Sequence, residues 1–128
     1  MEIINIVILA VSGLLLLSVG TLRSINPINA YAKNSGIKLA NEVNLLNEIR
    51  GISSVMLFSG VVILLGIVIP QLTLTSFVVA ALIFLGFAIG RLLGVVIDGK
   101  PNKLIVVGIA SELILGSLNI FALVKLLM

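Results

Sequence analysis

The sequence has no cysteine, no histidine and no tryptophan, and only 10% of its 128 residues are charged. Structural zinc sites, haem held by histidine or thiolate, dithiol redox pairs and histidine-activated nucleophiles all need side chains that are absent here. We therefore expect no cofactor, no metal and no catalytic residues. An enzyme is not favoured, although a glutamate beside an arginine can in principle move a proton on a lipid-soluble substrate.

Apolar residues make up 60% of the chain, and the mean hydropathy is +1.35. Soluble domains carry roughly 25% charged residues, so most of this chain is expected to lie in lipid. Each of four apolar runs is close to the ~20 residues that a helix needs to cross ~30 Å of hydrocarbon. The runs cover residues 3–22, 51–69, 72–97 and 104–124. This pattern predicts an all-α membrane protein, a four-transmembrane-helix bundle that forms a single domain over residues 1–128.

The first run is expected to remain in the mature protein. Ala30-Tyr31-Ala32 has the small-x-small form of a cleavage site, but Met1-Glu2 supplies no basic stretch and the apolar run is longer than that of a leader. We interpret it as the first spanning helix.

Four spans place the loop 23–50 and the turn 98–103 on one face of the membrane, with both termini on the other. Basic residues concentrate on the first face: Arg23, Lys33, Lys38, Arg50, Arg91, Lys100 and Lys103. The positive-inside rule makes this face cytoplasmic and predicts both termini outside the cytoplasm. The basic pI of 9.7 then indicates contact with anionic membrane lipids, and no pattern typical of nucleic-acid binding is present.

Within the loop, residues 37–50 carry an amphipathic pattern that predicts a helix. Leu39, Val43, Leu46 and Ile49 fall on one stripe. A helix that continued into the second span would be ~50 Å long, so it must protrude or bend near Gly51. The loop helix is either an interfacial support for the bundle or a surface for a partner.

The chain carries one short internal match. Gly51-Ile52-Ser53-Ser54 in the second span corresponds to Gly108-Ile109-Ala110-Ser111 in the fourth. Two duplicated helical hairpins, related by an axis along the membrane normal, would produce it. Chance similarity between glycine- and serine-containing apolar helices is the other explanation.

Three glycines, Gly86, Gly90 and Gly94, recur every four residues in the third span. Helices in membranes associate closely at such small-xxx-small stripes. The stripe predicts either packing against a neighbouring helix of the bundle or a homodimer face. Between the first and fourth spans, Asn5 and Asn119 are expected to form structural hydrogen bonds.

The most informative polar residues are Arg91 and Glu112, each ~10 to 12 Å inside the membrane from the same face. An ionised side chain there costs at least ~2.5 kcal/mol, so each is expected to face the interior and to pair with the other. Arg50, with Glu48 before it, is expected to close the cluster at its cytoplasmic end, and Ser54 and Ser111 supply hydroxyl groups.

Two interpretations of this cluster remain open. The first is a buried ion pair that fixes the helix register. The second is a ligand-binding pocket, in which Arg91 and Arg50 hold an anionic or carbonyl-bearing molecule while Glu112 accepts a hydrogen bond or exchanges a proton.

The motifs from Asn47-Glu48-Ile49-Arg50-Gly51 through Gly90-Arg91 and Asp98-Gly99-Lys100-Pro101 to Glu112 and Gly116 resemble the DoxX-like group of small four-helix bacterial membrane proteins. They are most similar to an uncharacterised branch, a domain of unknown function. The resemblance implies a compact bundle in the bacterial inner membrane with its polar cluster at one end. Characterised members of the group serve as membrane subunits beside redox enzymes or as assembly factors.

From these observations we expect an integral membrane protein that binds a lipid or a small hydrophobic ligand at its Arg/Glu cluster. The alternative is an accessory or assembly subunit of a membrane complex, which would use the glycine stripe or the loop helix for its partner. A small transporter or a membrane-embedded enzyme is a further alternative.

Overall fold

Helices account for nearly all of the structure, a computed structural model that describes residues 1–128. They are α1 (Ile3–Ile25), α2 (Pro27–Ser35), α3 (Val43–Val68), a short 3-10 helix (Pro70–Leu72), α4 (Thr73–Asp98) and α5 (Lys103–Leu127). There are no strands, which confirms the all-α prediction. The helices α1, α3, α4 and α5 are each long and apolar enough to cross a membrane, as expected for an integral membrane protein.

The loop between α1 and α3 differs from the prediction of a helix over residues 37–50. Its helix is α2, which begins at Pro27 and ends before Gly36, and residues 36–42 are not helical. Asn26 caps α2 by accepting a hydrogen bond from the backbone N–H of Asn29, while Pro27 fits the first helical position. At the other end, Gly36 adopts a left-handed conformation with φ of 65° and terminates the helix.

The predicted amphipathic stretch is divided by the start of α3. The Glu42 side chain accepts hydrogen bonds from the backbone N–H groups of Asn44 and Leu45 at 3.0 and 2.8 Å, which begins α3 at Val43. Residues 43–50 are therefore the first turns of the second spanning helix, which runs through Gly51 without interruption. At ~39 Å, α3 is longer than the ~30 Å thickness of the hydrocarbon, so it must tilt or extend beyond it.

The apolar core lies between α1, α3 and α4. Its largest buried side chains are Phe77 and Phe84 of α4, Leu9 of α1 and Ile63 of α3. The helix α5 packs mainly on α4, contributes only Ala122 to this core and is the least buried of the four long helices.

The helices α1 and α3 form the most extensive contact in the bundle, and glycine allows it. A Cβ atom at Gly20 would lie 2.8 Å from the carbonyl oxygen of Ser53 and would also meet the backbone of Leu57. A Cβ atom at Gly60 would lie 2.7 Å from the backbone nitrogen of Leu17. These small residues let the two backbones approach directly, which is how helices pack in lipid.

The predicted packing of the α4 glycine stripe inside the bundle is wrong. A Cβ atom at Gly86 or Gly90 would meet no atom within 4 Å, and one at Gly94 would meet only an Asp98 carboxylate oxygen at 4.0 Å. The reason is the rotation of α4, which turns Phe84 and Ala88 towards the core and leaves the glycines on another side. Within this chain the stripe has no partner, and the homodimer alternative stays a prediction.

The expected polar contact between the first and last spanning helices is present for one of the two asparagines. Asn119 donates from Nδ2 to Ser12 Oγ at 3.0 Å, and both residues are fully buried. Asn5 forms no side-chain hydrogen bond and lies nearer the N-terminus of α1. The Ser12–Asn119 bond fixes α5 against α1 in the half of the bundle that is remote from the loop.

Candidate functional site

A cavity of about 270 Å³ lies at the loop end of the bundle, where α1, α2, α4 and α5 meet. Its walls are mostly apolar, with contributions from Leu16, Met56 and Phe84 among others. The polar residues of the lining come from all four helices and include Arg23, Asn34, Ser35, Arg91, Ser111 and Glu112. Ligand pockets typically combine apolar walls with a few convergent polar groups in this way.

Arg91 and Glu112 face each other across the wall that α4 and α5 form. Arg91 Nη1 lies 3.3 Å from Glu112 Oε1, and both side chains are largely but not completely covered. Each residue stands about seven to nine positions from the loop-side end of its helix, so the pair lies ~10 to 14 Å along the helices. The structure thus pairs the two charged side chains whose exposure to hydrocarbon would cost the most free energy.

Gly108 provides the space for this pair. A Cβ atom at Gly108 would lie 2.7 Å from Arg91 Nη1, which is closer than carbon and nitrogen atoms approach without a bond. Because α5 carries glycine here, the guanidinium of Arg91 can cross its surface and reach Glu112 one turn further on. Gly51, the residue that corresponds to Gly108 in the internal match, has open space around it, so the two glycines have different neighbours.

The third charged residue of the cavity is Arg23, which sequence reasoning had treated only as a topological charge. The residue is 7% exposed, and its guanidinium donates from Nη2 to Ser35 Oγ at 3.0 Å and lies 4.2 Å above the ring centroid of Tyr31. Both partners belong to α2, so the short loop helix is what covers this arginine. No carboxylate pairs with it.

Two polar atoms in this lining are buried without a hydrogen-bond partner, Arg23 Nε and Asn34 Oδ1. A buried donor or acceptor without a partner costs about 1 to 3 kcal/mol, and buried polar groups are nearly always satisfied by protein, water or ligand. Both atoms belong to side chains on the α2 side of the cavity.

The charges of the lining do not balance. Two guanidinium groups, on Arg23 and Arg91, accompany the single carboxylate of Glu112. The cavity thus has an excess of one positive charge in apolar surroundings, where unscreened charges interact strongly. Such an arrangement can hold an anionic or strongly polar acceptor group. No cluster of acidic side chains that could hold a metal ion is present.

Arg50, Glu48 and Ser54 do not line this cavity. Arg50 donates from Nη1 to the backbone carbonyl oxygens of Ser24 and Ile25, and so caps the end of α1. Ser54 donates to the carbonyl oxygen of Arg50 at 2.8 Å, within its own helix. Glu48 is exposed and forms no ion pair. The prediction that Arg50 closes the Arg91–Glu112 cluster is replaced by a contact between the second span and the end of the first.

Ser111 does line the cavity, as the sequence suggested, although its hydroxyl group is already engaged. Its Oγ donates to the carbonyl oxygen of Val107 at 3.0 Å. The oxygen keeps its lone pairs and can still accept a hydrogen bond, which is the role left to it in the cavity.

Sequence analysis did not assign three of the polar lining residues to the site: Arg23, Asn34 and Ser35. Asn34 and Ser35 belong to α2, and Arg23 is covered by α2. The sequence does carry a signal for this helix: asparagine followed by proline, as in Asn26-Pro27, is a helix start, and Gly36 is a suitable helix end nine residues after Pro27. Together these two signals indicate a short helix over residues 27–35.

A comparison with protein families finds a match over most of the chain. The model described as Domain of unknown function (DUF4345) fits residues 4–123, nearly the whole chain. No match was found among curated proteins or among solved structures.

Proposed function

We propose that this chain, which belongs to the DUF4345 family of domains of unknown function, binds a hydrophobic molecule with an anionic or carbonyl-bearing head group in its intramembrane cavity. Arg23 and Arg91 hold the head group, Glu112 orients Arg91, and Ser111 and Asn34 border the same space. The apolar remainder of the molecule contacts the surrounding helix surfaces. Binding, without bond cleavage, is the proposed activity.

The observation that carries this proposal is that Arg23 is buried without a carboxylate partner. A charge that is buried for helix packing alone is expected to have a carboxylate partner, because an unpaired one is costly. Arg91 has such a partner and Arg23 does not. A structural ion pair would therefore explain Arg91 and Glu112, but it leaves the buried positive charge of Arg23 without a counter-ion.

A second candidate function is favoured by a different observation. The exposed stripe of Gly86 and Gly90 lets another helix approach α4 closely, which suits a homodimer or the accessory subunit of a membrane complex. Ligand binding and assembly with a partner use different faces of the bundle, so the two functions are compatible.

The setting of this activity is part of the proposal. The excess of basic residues on the loop side supports an orientation with the cavity near the cytoplasmic surface of a bacterial inner membrane and both termini outside the cytoplasm. A relationship with the DoxX-like group is proposed on the motifs quoted above.

The test is mass spectrometry of the small molecules and lipids that co-purify with the protein in a mild detergent. The native chain is compared with Arg23→Gln and Glu112→Gln, and with Arg50→Gln as a matched control that removes an arginine outside the cavity. Yields of folded protein are equalised first. We expect a species that is retained by the native chain and by Arg50→Gln but is depleted at least tenfold from the two cavity variants.

The proposal is wrong if all four folded proteins carry the same molecules in the same amounts. If instead the cavity variants fail to fold while Arg50→Gln folds, Gly108→Ala, which leaves all three charges in place but displaces the guanidinium of Arg91, provides the comparison. Unchanged ligand content in that variant would overturn the assignment of Arg91 to the head group.

A further inference from the structure

Hydrogen bonds join α5 to α1 at one point and to α2 at another, and the cavity lies between these two points. On the side remote from the loop, Asn119 of α5 donates to Ser12 of α1 at 3.0 Å. On the loop side, Asn102 at the start of α5 donates from Nδ2 to the carbonyl oxygen of Ser35 at 2.8 Å, through α2. Between these two points, residues of α1 and α5 line the cavity, and α5 packs far more extensively on α4 than on α1.

Three side chains of this stretch belong to the cavity and to the outer surface at the same time. Leu15, Leu104 and Val107 line the cavity, yet they are 39%, 47% and 52% exposed. A side chain that lines a cavity and is also accessible from outside stands at its mouth. We call these three residues the α1–α5 seam. The seam is apolar and lies between two of the helices that are long and apolar enough to cross a membrane.

The size of the cavity limits what it can enclose. At about 270 Å³ it exceeds the ~150 Å³ of an engineered cavity that holds benzene, but it falls below the ~300 Å³ at which pockets for drug-sized ligands begin. It has room for a head group and the first carbons of a chain. The rest of a long hydrocarbon chain must lie outside, and the seam is the apolar exit.

We infer that the ligand is a long-chain carboxylate, whose carboxylate group lies between Arg23 and Arg91 while its hydrocarbon tail passes through the α1–α5 seam into the adjacent leaflet. This inference rests on the proposed function and adds to it the class of ligand and its route of entry. The molecule enters and leaves laterally and never has to cross the loop side of the bundle.

The charge and shape of the lining favour a carboxylate over other head groups. One negative charge balances the excess of one positive charge, whereas a neutral carbonyl group does not. A planar carboxylate matches the planar fork of a guanidinium in a bidentate contact. A phosphodiester carries substituents on both sides, so it cannot enter end-on as a terminal carboxylate does.

The depth of the charged groups agrees with an amphiphile of the loop-side leaflet. Arg23 stands two residues before the end of α1, and Arg91 lies ~10 Å inside α4. A carboxylate between them is just below the polar surface. From there the tail can follow the seam past Leu15 towards the middle of the membrane.

The experiment measures binding to the full chain in a neutral detergent with three probes: myristate, acetate and phosphatidylglycerol. Variants test the two ends of the ligand separately. Arg23→Gln removes a head-group contact, and Val107→Trp narrows the seam. Val96→Trp is the matched control, because Val96 is 83% exposed on α4 and lies outside the cavity lining. Arg91→Gln replaces Arg23→Gln if that variant does not fold.

We expect myristate to bind more tightly than phosphatidylglycerol, and acetate at the same concentration to give no detectable binding. Arg23→Gln and Val107→Trp should each weaken myristate binding at least tenfold, while Val96→Trp leaves it unchanged.

Each contrary outcome has its own meaning. If Val107→Trp behaves like Val96→Trp while Arg23→Gln weakens binding, the lateral route is wrong and the proposed function stands. Tighter binding of phosphatidylglycerol, or binding of acetate equal to that of myristate, overturns the long-chain carboxylate. Unchanged binding in Arg23→Gln overturns the inference together with the proposed function.

Discussion

Arg23 of α1 donates a hydrogen bond to the Ser35 hydroxyl of α2 at 3.0 Å, and this contact is the only hydrogen bond of a buried guanidinium group. Replacing Ser35 with alanine therefore removes the partner of a charged donor in apolar surroundings. We expect Ser35→Ala to lower the free energy of unfolding by about 1 to 3 kcal/mol, measured by titration from mild detergent into dodecyl sulfate. Ser18→Ala, at an exposed serine of α1, is the control and should change it by less than about 0.5 kcal/mol.

Glycine substitutions separate the packed positions from the open ones. In Gly20→Ala the new Cβ atom meets the backbone of α3, which cannot move aside as a side chain would, so we expect a loss of at least about 1 to 3 kcal/mol. In Gly86→Ala the new Cβ atom contacts no other atom, and alanine has a higher helix propensity than glycine. We therefore expect the free energy of unfolding of the monomer to be unchanged or to rise by up to about 1 kcal/mol. Equal losses in both variants would contradict the packing described for α1 and α3. A dimer that dissociates in Gly86→Ala alone would identify the α4 stripe as a homodimer face.

Gly108→Ala tests whether the geometry of Arg91 matters for binding. The added methyl group displaces the flexible end of Arg91, not the backbone, so the fold should persist. The guanidinium must then leave its position 3.3 Å from Glu112, and we expect binding of myristate to fall at least fivefold. Gly51→Ala, at the open position of the internal match, is the control and should bind like the native chain. If Gly108→Ala binds as tightly as Gly51→Ala, the ligand does not use Arg91.

We expect Arg50 to contribute to the stability of the fold and not to ligand binding. Its guanidinium caps two carbonyl groups at the end of α1, so Arg50→Gln should lower the free energy of unfolding by about 1 kcal/mol without changing ligand content. Unfolding titrations and ligand mass spectrometry on the same samples measure both quantities. A loss of ligand at unchanged stability would return Arg50 to the binding site that the sequence suggested.

The orientation of the chain is tested with reporters at its C-terminus. We expect a fluorescent protein that matures only in the cytoplasm to stay dark in that position, and a phosphatase that is active only outside the cytoplasm to be active. The same reporters placed after Lys100, in the turn between α4 and α5, should give the opposite pattern. Fluorescence at the C-terminus would reverse the proposed orientation and place the cavity near the outer surface.

The four spanning helices were predictable because their signal is one of length and composition, and both are local properties of the sequence. The pairing of Arg91 with Glu112 was predictable for a similar reason: each is a lone charge at a similar depth from the same face. Both inferences depend on the cost of charge in hydrocarbon and need no knowledge of how the helices are rotated.

The features that the sequence did not predict depend on how α4 is rotated about its axis and on the loop between α1 and α3. Spacing identified Gly86, Gly90 and Gly94 as a stripe, but the direction in which α4 turns them is set by the burial of Phe77 and Phe84. Arg23 lies near the end of its helix, where an arginine can extend to water, so nothing in the span itself indicates burial. Its burial follows from α2, a short and polar helix whose apolar periodicity is weak.

The hydrogen bond between Ser12 and Asn119 joins residues 107 positions apart, and this separation has a consequence for biosynthesis. At about 5 to 20 residues per second, roughly 5 to 20 s pass between the synthesis of Ser12 and that of Asn119. The glycine contact between α1 and α3 can form within that interval, because both helices are already made. The cavity exists only after α5 has entered the bilayer, so during translation Arg23 is inserted before the wall that carries Glu112.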